Sequence, residues 1–478
     1  MFLRSELAFV AACAALVVFG FIFAPNRSRF LLAAGVMTIA WQGGYWIEYF
    51  MLDFTLSYFI FGLLLVWSFI NPQRRLQRKG AFALPLYFWM GVIIFCAFSL
   101  KPAIEKYSAL SGVVRAIIDV LIFYAVLKSL HSARDVQYFS GVLIAAMIFQ
   151  GLLGLVQFKI PNFKIGVIDE AQSWMWWRSK GTFFHANQMG MYLLLMLPPT
   201  ARIFFSALIK GDRKWAGFSG TALLIGGLAL FTTANRGAWI GVFIGIVFML
   251  GYDLFGRRQV NLKKVLLGLS VPALILVVVF ALKYGFTFSD RLFSDKAESM
   301  WEGRKGLQVE SLAIIKAHPI FGVGYFNCGL HMKIIFVHNL YLLVATEIGI
   351  PGLICMAGFL ITFLLYIVKG MRSKIFFVSN LSRGCFGALI GFLIASIPGP
   401  DFWISHPVQM YFWMILALQV ALLRLEQRTM AQLNMHKQQS RNDAASQISA
   451  ANGLSAGPAF KRNLAIGNSL SYINKGQT

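Results

Sequence analysis

The sequence predicts an all-helical integral membrane protein that crosses the bilayer about 12 times. Of its 478 residues, 58% are hydrophobic and only 13% are charged. A soluble domain carries roughly 25% charged residues, so most of this apolar surface must face lipid. The chain also contains a succession of apolar runs close to the length of about 20 residues that a membrane-spanning helix needs. Lys and Arg cluster in the short connections between these runs, as is typical of a polytopic membrane protein.

The apolar runs define the expected spans. They lie near 7–24, 30–47, 52–70, 81–99, 112–127, 136–157, 188–208, 217–233, 237–254, 265–284, 350–368, 383–398 and 406–423. We expect 12 spans, or 13 if every run crosses the membrane. The first run has no small-residue cleavage site after it and is interpreted as a retained helix. The sequence thus predicts a membrane domain over residues 1–428 and a disordered, polar, cytoplasmic tail over 429–478.

Basic residues in the loops predict the orientation of the spans. Four loops are rich in Lys and Arg, over 74–79, 210–214, 257–264 and 369–383. Counting spans places all four on one side, which the positive-inside rule makes the cytoplasm. The periplasmic side then receives two long segments, 158–187 and 285–349, and the larger one is expected to contain short helices. Both are also basic, which opposes the insertion bias, so they either contact lipid head groups or hold a phosphorylated substrate.

His338 is the strongest candidate for chemistry in the larger periplasmic segment. It lies where this segment re-enters the membrane, and an imidazole can take up a proton near neutral pH. Asn339 either caps the following helix or orients a substrate hydroxyl. Glu347 follows nine residues after His338 and can orient the histidine only if the helix breaks at Gly349. The alternative is that His338 has a purely structural role, with its hydrogen bonds made to other groups of the protein.

Two arginines are candidates for binding an anion on the same side. Arg236 lies in the short turn Thr232-Thr233-Ala234-Asn235-Arg236-Gly237 between two apolar runs, where a guanidinium either binds an anion or extends to water. Arg304 belongs to a segment that we expect to open a helix ending before Pro319. Its guanidinium and the free backbone N–H groups of the first turn would then bind an anion together. Without a ligand, the same segment is an ordinary solvated run of charges.

A third polar group, residues 178–187, directly precedes the apolar run at 188–208. It supplies two cations and further hydrogen-bonding side chains, namely Arg178, Lys180, His185 and Asn187. By contrast, Arg115 and Asp119, four residues apart in one expected span, are interpreted as a buried structural pair. No role in the reaction is assigned to His406 or to the other histidines.

Several classes of function are disfavoured by what the sequence lacks. It contains no GxxxxGKS/T phosphate loop, which argues against ATP-driven transport, and no DxD pair for a metal-bound nucleotide sugar. The five cysteines show no zinc spacing. In a soluble protein the net charge of +24 would indicate nucleic acid, but here phosphorylated lipids and the membrane surface are the expected partners. We therefore expect neither a metal nor another cofactor.

Taken together, the motifs resemble the signature of the O-antigen ligase superfamily. His338-Asn339 is followed after nine residues by Gly349-Ile350-Pro351-Gly352. Three further stretches are similar to the family pattern and occur in the same order: Gly181-Thr182-Phe183 with Asn187, Asn235-Arg236-Gly237, and Arg304 followed by Pro319-Ile320-Phe321-Gly322-Val323-Gly324. The resemblance covers roughly residues 175–365. It implies a C-type membrane glycosyltransferase whose donor is a glycan on undecaprenyl pyrophosphate, presented at the periplasmic face of the bacterial inner membrane.

In the ligases of this superfamily the acceptor is a sugar hydroxyl of the lipid A–core. The resemblance implies that His338 is the general base and that Arg236 and Arg304 bind the pyrophosphate, with Arg178 and Lys180 assigned by position and charge. Asn339, Glu347, His185 and Asn187 are expected to support them. Direct attack would invert the anomeric centre. An O-antigen polymerase or a protein O-oligosaccharyltransferase is the alternative, and a lipid-linked glycan transporter is a third; the short cytoplasmic tail favours a ligase.

Overall fold

The structure is a computed structural model, and it describes residues 15–39, 48–49, 52–53, 56–70, 83–160, 178–255, 295–332 and 337–453. Residues 15–23 are helical. The helices that follow are α1 (Arg27–Thr38), α2 (Leu56–Ile70), α3 (Ala83–Phe98), α4 (Lys106–Ser129), α5 (Ala133–Lys159), α6 (Ala186–Lys210), α7 (Arg213–Thr232), α8 (Arg236–Phe255), α9 (Asp295–Ala317), α10 (Cys328–His331), α11 (Leu340–Met371), α12 (Phe376–Ala395), α13 (Asp401–Ile404) and α14 (His406–Gly453). Two short strands, β1 (Glu48–Tyr49) and β2 (Leu52–Asp53), pair antiparallel, a small departure from the expected all-helical fold.

The described residues include seven helices that are long and apolar enough to cross a membrane, namely α4, α5, α6, α7, α11, α12 and α14. The shorter apolar helices α2, α3 and α8 also match expected spans. The span expected at 30–47 contains α1, and residues 40–47 lie outside the described residues, as does the whole span expected at 265–284. The chain is thus a polytopic helical membrane protein, and the count of 12 spans stays a prediction.

Helix α14 forms the centre of the bundle. Its residues from Val408 to Leu423 are almost entirely buried, which explains why an apolar run with no polar face is stable there. Aromatic rings fill the space around it: Trp413 contacts Trp89 at 5.0 Å and Phe359 at 5.1 Å between ring centroids. Beyond the expected boundary at residue 428 the helix continues to Gly453, where disorder was expected. This segment contains five Ala and four Gln among its 25 residues, and these residue types extend a helix that is already nucleated.

Small residues allow α8 and α12 to pack closely. A Cβ atom on Gly245 would lie 2.2 Å from the carbonyl oxygen of Gly387, and one on Gly241 would lie 2.6 Å from that of Gly391. Close backbone approach of this kind is a common way for helices to associate in a membrane, where apolar side chains gain little by leaving lipid. The packing brings the start of α8, which carries Arg236, next to the end of α12.

The ends of the helices define two ends of the bundle. The starts of α6, α8, α11 and α14 lie with the ends of α7 and α12 at one end, which we call the site end. The connections from α6 to α7 and from α11 to α12 lie at the opposite end, where the Lys210 ammonium is 5.1 Å from the centroid of the Phe376 ring. Two of the basic loops predicted to share one side therefore do so. Arg383 is not part of a loop, since it lies buried within α12.

Candidate functional site

The site end brings together chain segments that are far apart in sequence. They are residues 178–187, the turn from α7 to α8, the middle of α9, residues 337–339 before α11, and the connection from α12 to α14. Of the two expected periplasmic segments, 161–177, 285–294 and 333–336 lie outside the described residues. The last part of the expected external segment, 340–349, is the buried first part of α11.

Residues 178–187 are held by two buried glutamines of α5. Gln157 Oε1 accepts hydrogen bonds from the backbone N–H groups of Lys180 at 3.2 Å and Gly181 at 2.8 Å. Gln150 Oε1 accepts from the N–H of Thr182 at 3.1 Å, and its Nε2 donates to Thr182 Oγ1 at 2.8 Å. Gly181 has a φ of 60°, and a Cβ atom there would lie 2.5 Å from Gln150 Oε1. Gly181 and Thr182 therefore form a tight turn that fixes the flanking cations.

Arg178 is tied to the turn that carries Arg236. Its Nε donates to the carbonyl oxygen of Thr233 at 2.7 Å, and its Nη2 donates to Asn187 Oδ1 at 2.5 Å. The carbonyl oxygen of Asn187 accepts from Asn235 Nδ2 at 3.1 Å. Asn187 thus links the first segment to the turn, and it holds Arg178 in one orientation.

The predicted short turn exists between α7 and α8, and Arg236 is the first residue of α8. Asn235 Oδ1 accepts from the backbone N–H of Ala238 at 3.1 Å, which caps the helix. Before it, Ala234 has a φ of 49°, a left-handed conformation that makes the turn abrupt. Arg236 is half-buried in this position.

Arg304 does not open a helix, and this expectation was wrong. Helix α9 already runs from Asp295, so Arg304 lies within it and the backbone N–H groups around it bond within the helix. A guanidinium, rather than a helix N-terminus, is what α9 brings to the site. The helix ends at Ala317, before Pro319, as the sequence predicted.

Asn339 caps α11, which was one of its two expected roles. Its Oδ1 accepts from the backbone N–H of Leu342 at 3.0 Å, and the N–H of Leu340 donates to the carbonyl oxygen of Ser396 at 3.0 Å. These contacts fix the segment directly before α11, which carries the half-buried His338. His185 acts similarly at the start of α6, where its Nδ1 accepts from the N–H of Asn187 at 3.0 Å.

Glu347 binds Trp403 on α13. Its fully buried carboxylate accepts from Trp403 Nε1 at 2.6 Å, and the Tyr325 hydroxyl donates to the carbonyl oxygen of Trp403 at 2.7 Å. Helix α11 does break at Gly349, which has a φ of 79°. This break is the condition under which Glu347 was expected to be able to orient His338. The contacts made by its carboxylate, however, hold α13, the short helix that begins with Asp401.

Asp401 is the residue that the sequence analysis missed. It is buried, and its pKa is raised to about 6 by that burial, against the opposing effects of the nearby Arg178 and Arg304 guanidinium groups. A usable signal existed: Asp401 is the one carboxyl group between the last two expected spans, directly after Pro398-Gly399-Pro400. Ionisable residues at membrane depth are commonly functional.

Electrostatic interactions connect His338 to the arginines. Burial lowers the pKa of His338 below its usual value, and the Arg304 guanidinium lowers it further. Burial likewise lowers the pKa of Arg304, with Arg236 adding to this effect and Asp401 opposing it. His338, Arg304, Arg236, Asp401 and Arg178 therefore form one group of interacting charges, which we call the His–Arg cluster. Lys180 lies in the same turn as Arg178, and its part in anion binding stays a prediction.

The His–Arg cluster suits an anionic ligand. Three guanidinium groups face one carboxylate and one imidazole, so the cluster carries an excess of positive charge when His338 is neutral. Guanidinium groups pair with phosphate oxygens in bidentate geometry. Within the described residues, no three His, Cys, Asp or Glu side chains lie together as a metal site would need.

Comparison with known families agrees with this geometry. Residues 221–357 match the family model described as O-Antigen ligase. This segment of the chain is therefore similar to the O-antigen ligase family. The matched segment contains Arg236, Arg304, His338 and Glu347, whereas Arg178 and Asp401 lie outside it. No curated protein matches the chain.

Proposed function

We propose that this protein is an O-antigen ligase of the bacterial inner membrane. It transfers a glycan from undecaprenyl pyrophosphate to a sugar hydroxyl of the lipid A–core at the periplasmic face. The observation that carries the proposal is the His–Arg cluster, in which a proton acceptor and several guanidinium groups interact at one end of the bundle. The similarity of residues 221–357 to the O-antigen ligase family supports a transferase of this type.

In this mechanism His338 is the general base. The acceptor hydroxyl attacks the anomeric carbon of the donor while His338 takes up the hydroxyl proton. The bond between the anomeric carbon and the pyrophosphate oxygen breaks, and undecaprenyl pyrophosphate leaves with the bonding electrons. The lowered pKa of His338 supports this role, because it keeps the imidazole neutral and ready to accept a proton at physiological pH.

Arg236, Arg304 and Arg178 bind the pyrophosphate in this proposal. Negative charge develops on the leaving group as the bond breaks, and preorganised cations stabilise that charge without the reorganisation that water would require. Asp401 interacts electrostatically with Arg178 and Arg304 and is proposed to orient them. The pyrophosphate linkage supplies the free energy, so the reaction needs no nucleotide. The guanidinium groups stabilise the leaving group in the role that a metal ion has in other enzymes.

The test is a reconstituted transfer reaction. Purified protein is incubated with undecaprenyl-pyrophosphate glycan and lipid A–core, without nucleotide and with a chelator, and the joined lipopolysaccharide is measured. We expect transfer with inversion at the anomeric carbon. Dependence on ATP or Mg²⁺ would contradict the mechanism. Transfer to a second donor glycan or to a protein, with none to the lipid A–core, would instead identify a polymerase or a protein O-oligosaccharyltransferase.

A further inference from the structure

A second polar cavity lies at the opposite end of the bundle, away from the His–Arg cluster. It has a volume of about 150 Å³ and opens between α5, α6, α7 and α12. Polar groups on its wall come from Gln137, Lys210 and Asn380, and apolar groups come from Trp215 and Phe377. The wall of the cavity therefore offers groups that suit a charged head group and groups that suit hydrocarbon.

Asn380, one of the polar residues on the wall of this cavity, is hydrogen-bonded to a buried arginine. Arg202 Nη2 donates to Asn380 Oδ1 at 2.6 Å, and Asn380 Nδ2 donates back to the carbonyl oxygen of Arg202 at 3.0 Å. Arg202 is only 7% exposed, so its charge is poorly screened by water. The charge of Arg202 therefore makes the electrostatic potential in the cavity more positive, because only Asn380 separates the two.

The lining of the cavity carries one cation and one carboxylate, and further cations lie close by along the chain. Lys210 lines it, and Arg213 and Lys214 follow at the start of α7. Asp212 is the carboxylate on the wall, and it already caps α7 by accepting the N–H of Trp215 at 3.2 Å. The remaining positive charge favours an anionic ligand.

The depth of the cavity indicates where that ligand comes from. Helix α6 ends at Lys210, α7 begins at Arg213 and α12 begins at Phe376, so the cavity lies where spans meet the head-group region. Leu208 and Phe218, on α6 and α7, expose 52% and 37% of their surface. Acyl chains can lie along such side chains while the phosphate group enters the cavity.

We propose that this cavity binds the phosphate head group of an anionic phospholipid from the surrounding bilayer. Lys210 pairs with the phosphate, Gln137 and Asn380 provide hydrogen-bonding groups, and Trp215 and Phe377 pack against the glycerol and the first methylene groups. Basic pockets between helices at a membrane surface recognise lipids in this way. The proposal does not depend on the transferase activity.

Native mass spectrometry of the full chain, released from detergent containing phosphatidylglycerol or phosphatidylcholine, tests the proposal. We expect one phosphatidylglycerol to be retained in preference to phosphatidylcholine. Lys210→Gln should weaken its binding about tenfold, the size expected for one charge-assisted pair. Ser206→Phe, which fills the cavity from α6, should weaken it without removing any charge.

The matched control is Lys369→Gln, which removes the same charge from an exposed position at the same end of the bundle. It should leave phosphatidylglycerol binding unchanged. Equal retention of both lipids, or equal loss with Lys369→Gln, would overturn the proposal. Inorganic phosphate competing as strongly as phosphatidylglycerol would also overturn it, because the site would then bind a free anion rather than a lipid.

Discussion

Burial and neighbouring charges shift the two titratable groups beside Arg304 in opposite directions. His338 is shifted towards its neutral form by burial and by Arg304. Asp401 is shifted towards its protonated form by burial, but Arg178 and Arg304 limit this shift, so its pKa of about 6 leaves it mostly ionised at neutral pH. A neutral His338 and an ionised Asp401 are the protonation states that the proposed mechanism needs.

Replacing His338 with Ala should abolish most of the transfer reaction. Loss of a general base typically lowers the rate by ~10²–10⁴, whereas binding of the lipid-linked donor should persist because the arginines remain. Single-turnover transfer and donor binding are measured separately. The exposed His318, at the end of α9, provides the control, and His318→Ala should leave both unchanged. Near wild-type turnover in His338→Ala would remove this residue as the base.

Arg304→Ala should weaken use of the donor. A hydrogen bond to a charged group contributes about 1.5–3 kcal/mol, so kcat/KM for the donor should fall roughly 10- to 100-fold. Lys305→Ala removes the adjacent, exposed cation and should change kcat/KM little. If both variants lose activity equally, general surface charge rather than a placed guanidinium attracts the donor.

The pH dependence of transfer should change in a defined direction when Arg304 is removed. The base must be neutral, so kcat/KM should fall as the pH drops through the pKa of His338, which lies below its usual value of 6.5. Removing the Arg304 cation raises that pKa, since a neighbouring positive charge no longer opposes protonation. The acid limb of the kcat/KM profile should therefore move to higher pH in Arg304→Ala and stay in place in Lys305→Ala. A shift to lower pH would contradict the interaction.

The break in α11 is the element that holds α9 in place. At Gly349 the helix leaves backbone groups without helical partners, and the loop 319–324 supplies them. The N–H of Ile350 donates to the carbonyl oxygen of Pro319 at 2.8 Å, and those of Val323 and Gly324 donate to Thr346 and Glu347 at 3.0 and 2.9 Å. Unpaired backbone groups are costly in a membrane, so the break and the loop require each other. The glycine- and proline-containing motifs thus act as a joint that brings Arg304 towards His338.

Gly349→Ala should destabilise this joint. A Cβ atom at this position would lie 2.1 Å from the carbonyl oxygen of Ile320, and the φ of 79° is strained for alanine. We expect a loss of ~1–3 kcal/mol in the free energy of unfolding. A lower midpoint of thermal unfolding in detergent would show this.

Gly62→Ala, in α2, is the control for Gly349→Ala. A Cβ atom there has no atom within 4 Å, and alanine favours a helix over glycine, so it should be neutral or slightly stabilising. Equal unfolding midpoints for the two variants would contradict the role of the joint.

Sequence patterns predicted these elements unevenly. The sequence analysis named a helix break at Gly349 as the condition for Glu347 to orient His338. A glycine followed two residues later by a proline is a pattern that interrupts a helix. The start of α9 was not anticipated, since the helix begins at Asp295, nine residues before Arg304. The role of Glu347 was also beyond the sequence, since its partner Trp403 lies 56 residues away.

At the scale of the whole molecule, a polar contact in the apolar core joins three helices. His406 Nε2 lies 3.1 Å from Asp119 Oδ1, and its Nδ1 contacts the Tyr58 hydroxyl. His406 and Asp119 are 5% and 0% exposed. His406 begins α14, so this contact links α2 and α4 to the central helix just below α13.

His406→Ala should destabilise the whole bundle. Removing one partner of a buried ionisable pair typically costs 3–5 kcal/mol, roughly, because the other partner stays buried without compensation. His436→Ala, exposed on the same helix, should have no effect. Unfolding is followed by circular dichroism during heating in detergent. An unchanged midpoint for His406→Ala would show that the contact contributes nothing to stability.

The sequence by itself determined the membrane class and, within the described residues, most of the helix positions, and it suggested the residues that are proposed for the reaction. These follow from local properties: apolar runs, loop charge and short motifs act over about 20 residues or fewer. Only the tertiary structure decided which side chains meet. Asp401 lies close enough to Arg178 and Arg304 for their charges to affect its pKa, Asn187 fixes Arg178, and Glu347 holds α13. Packing of distant helices and the pairing of buried polar groups, rather than spacing along the chain, set these relations.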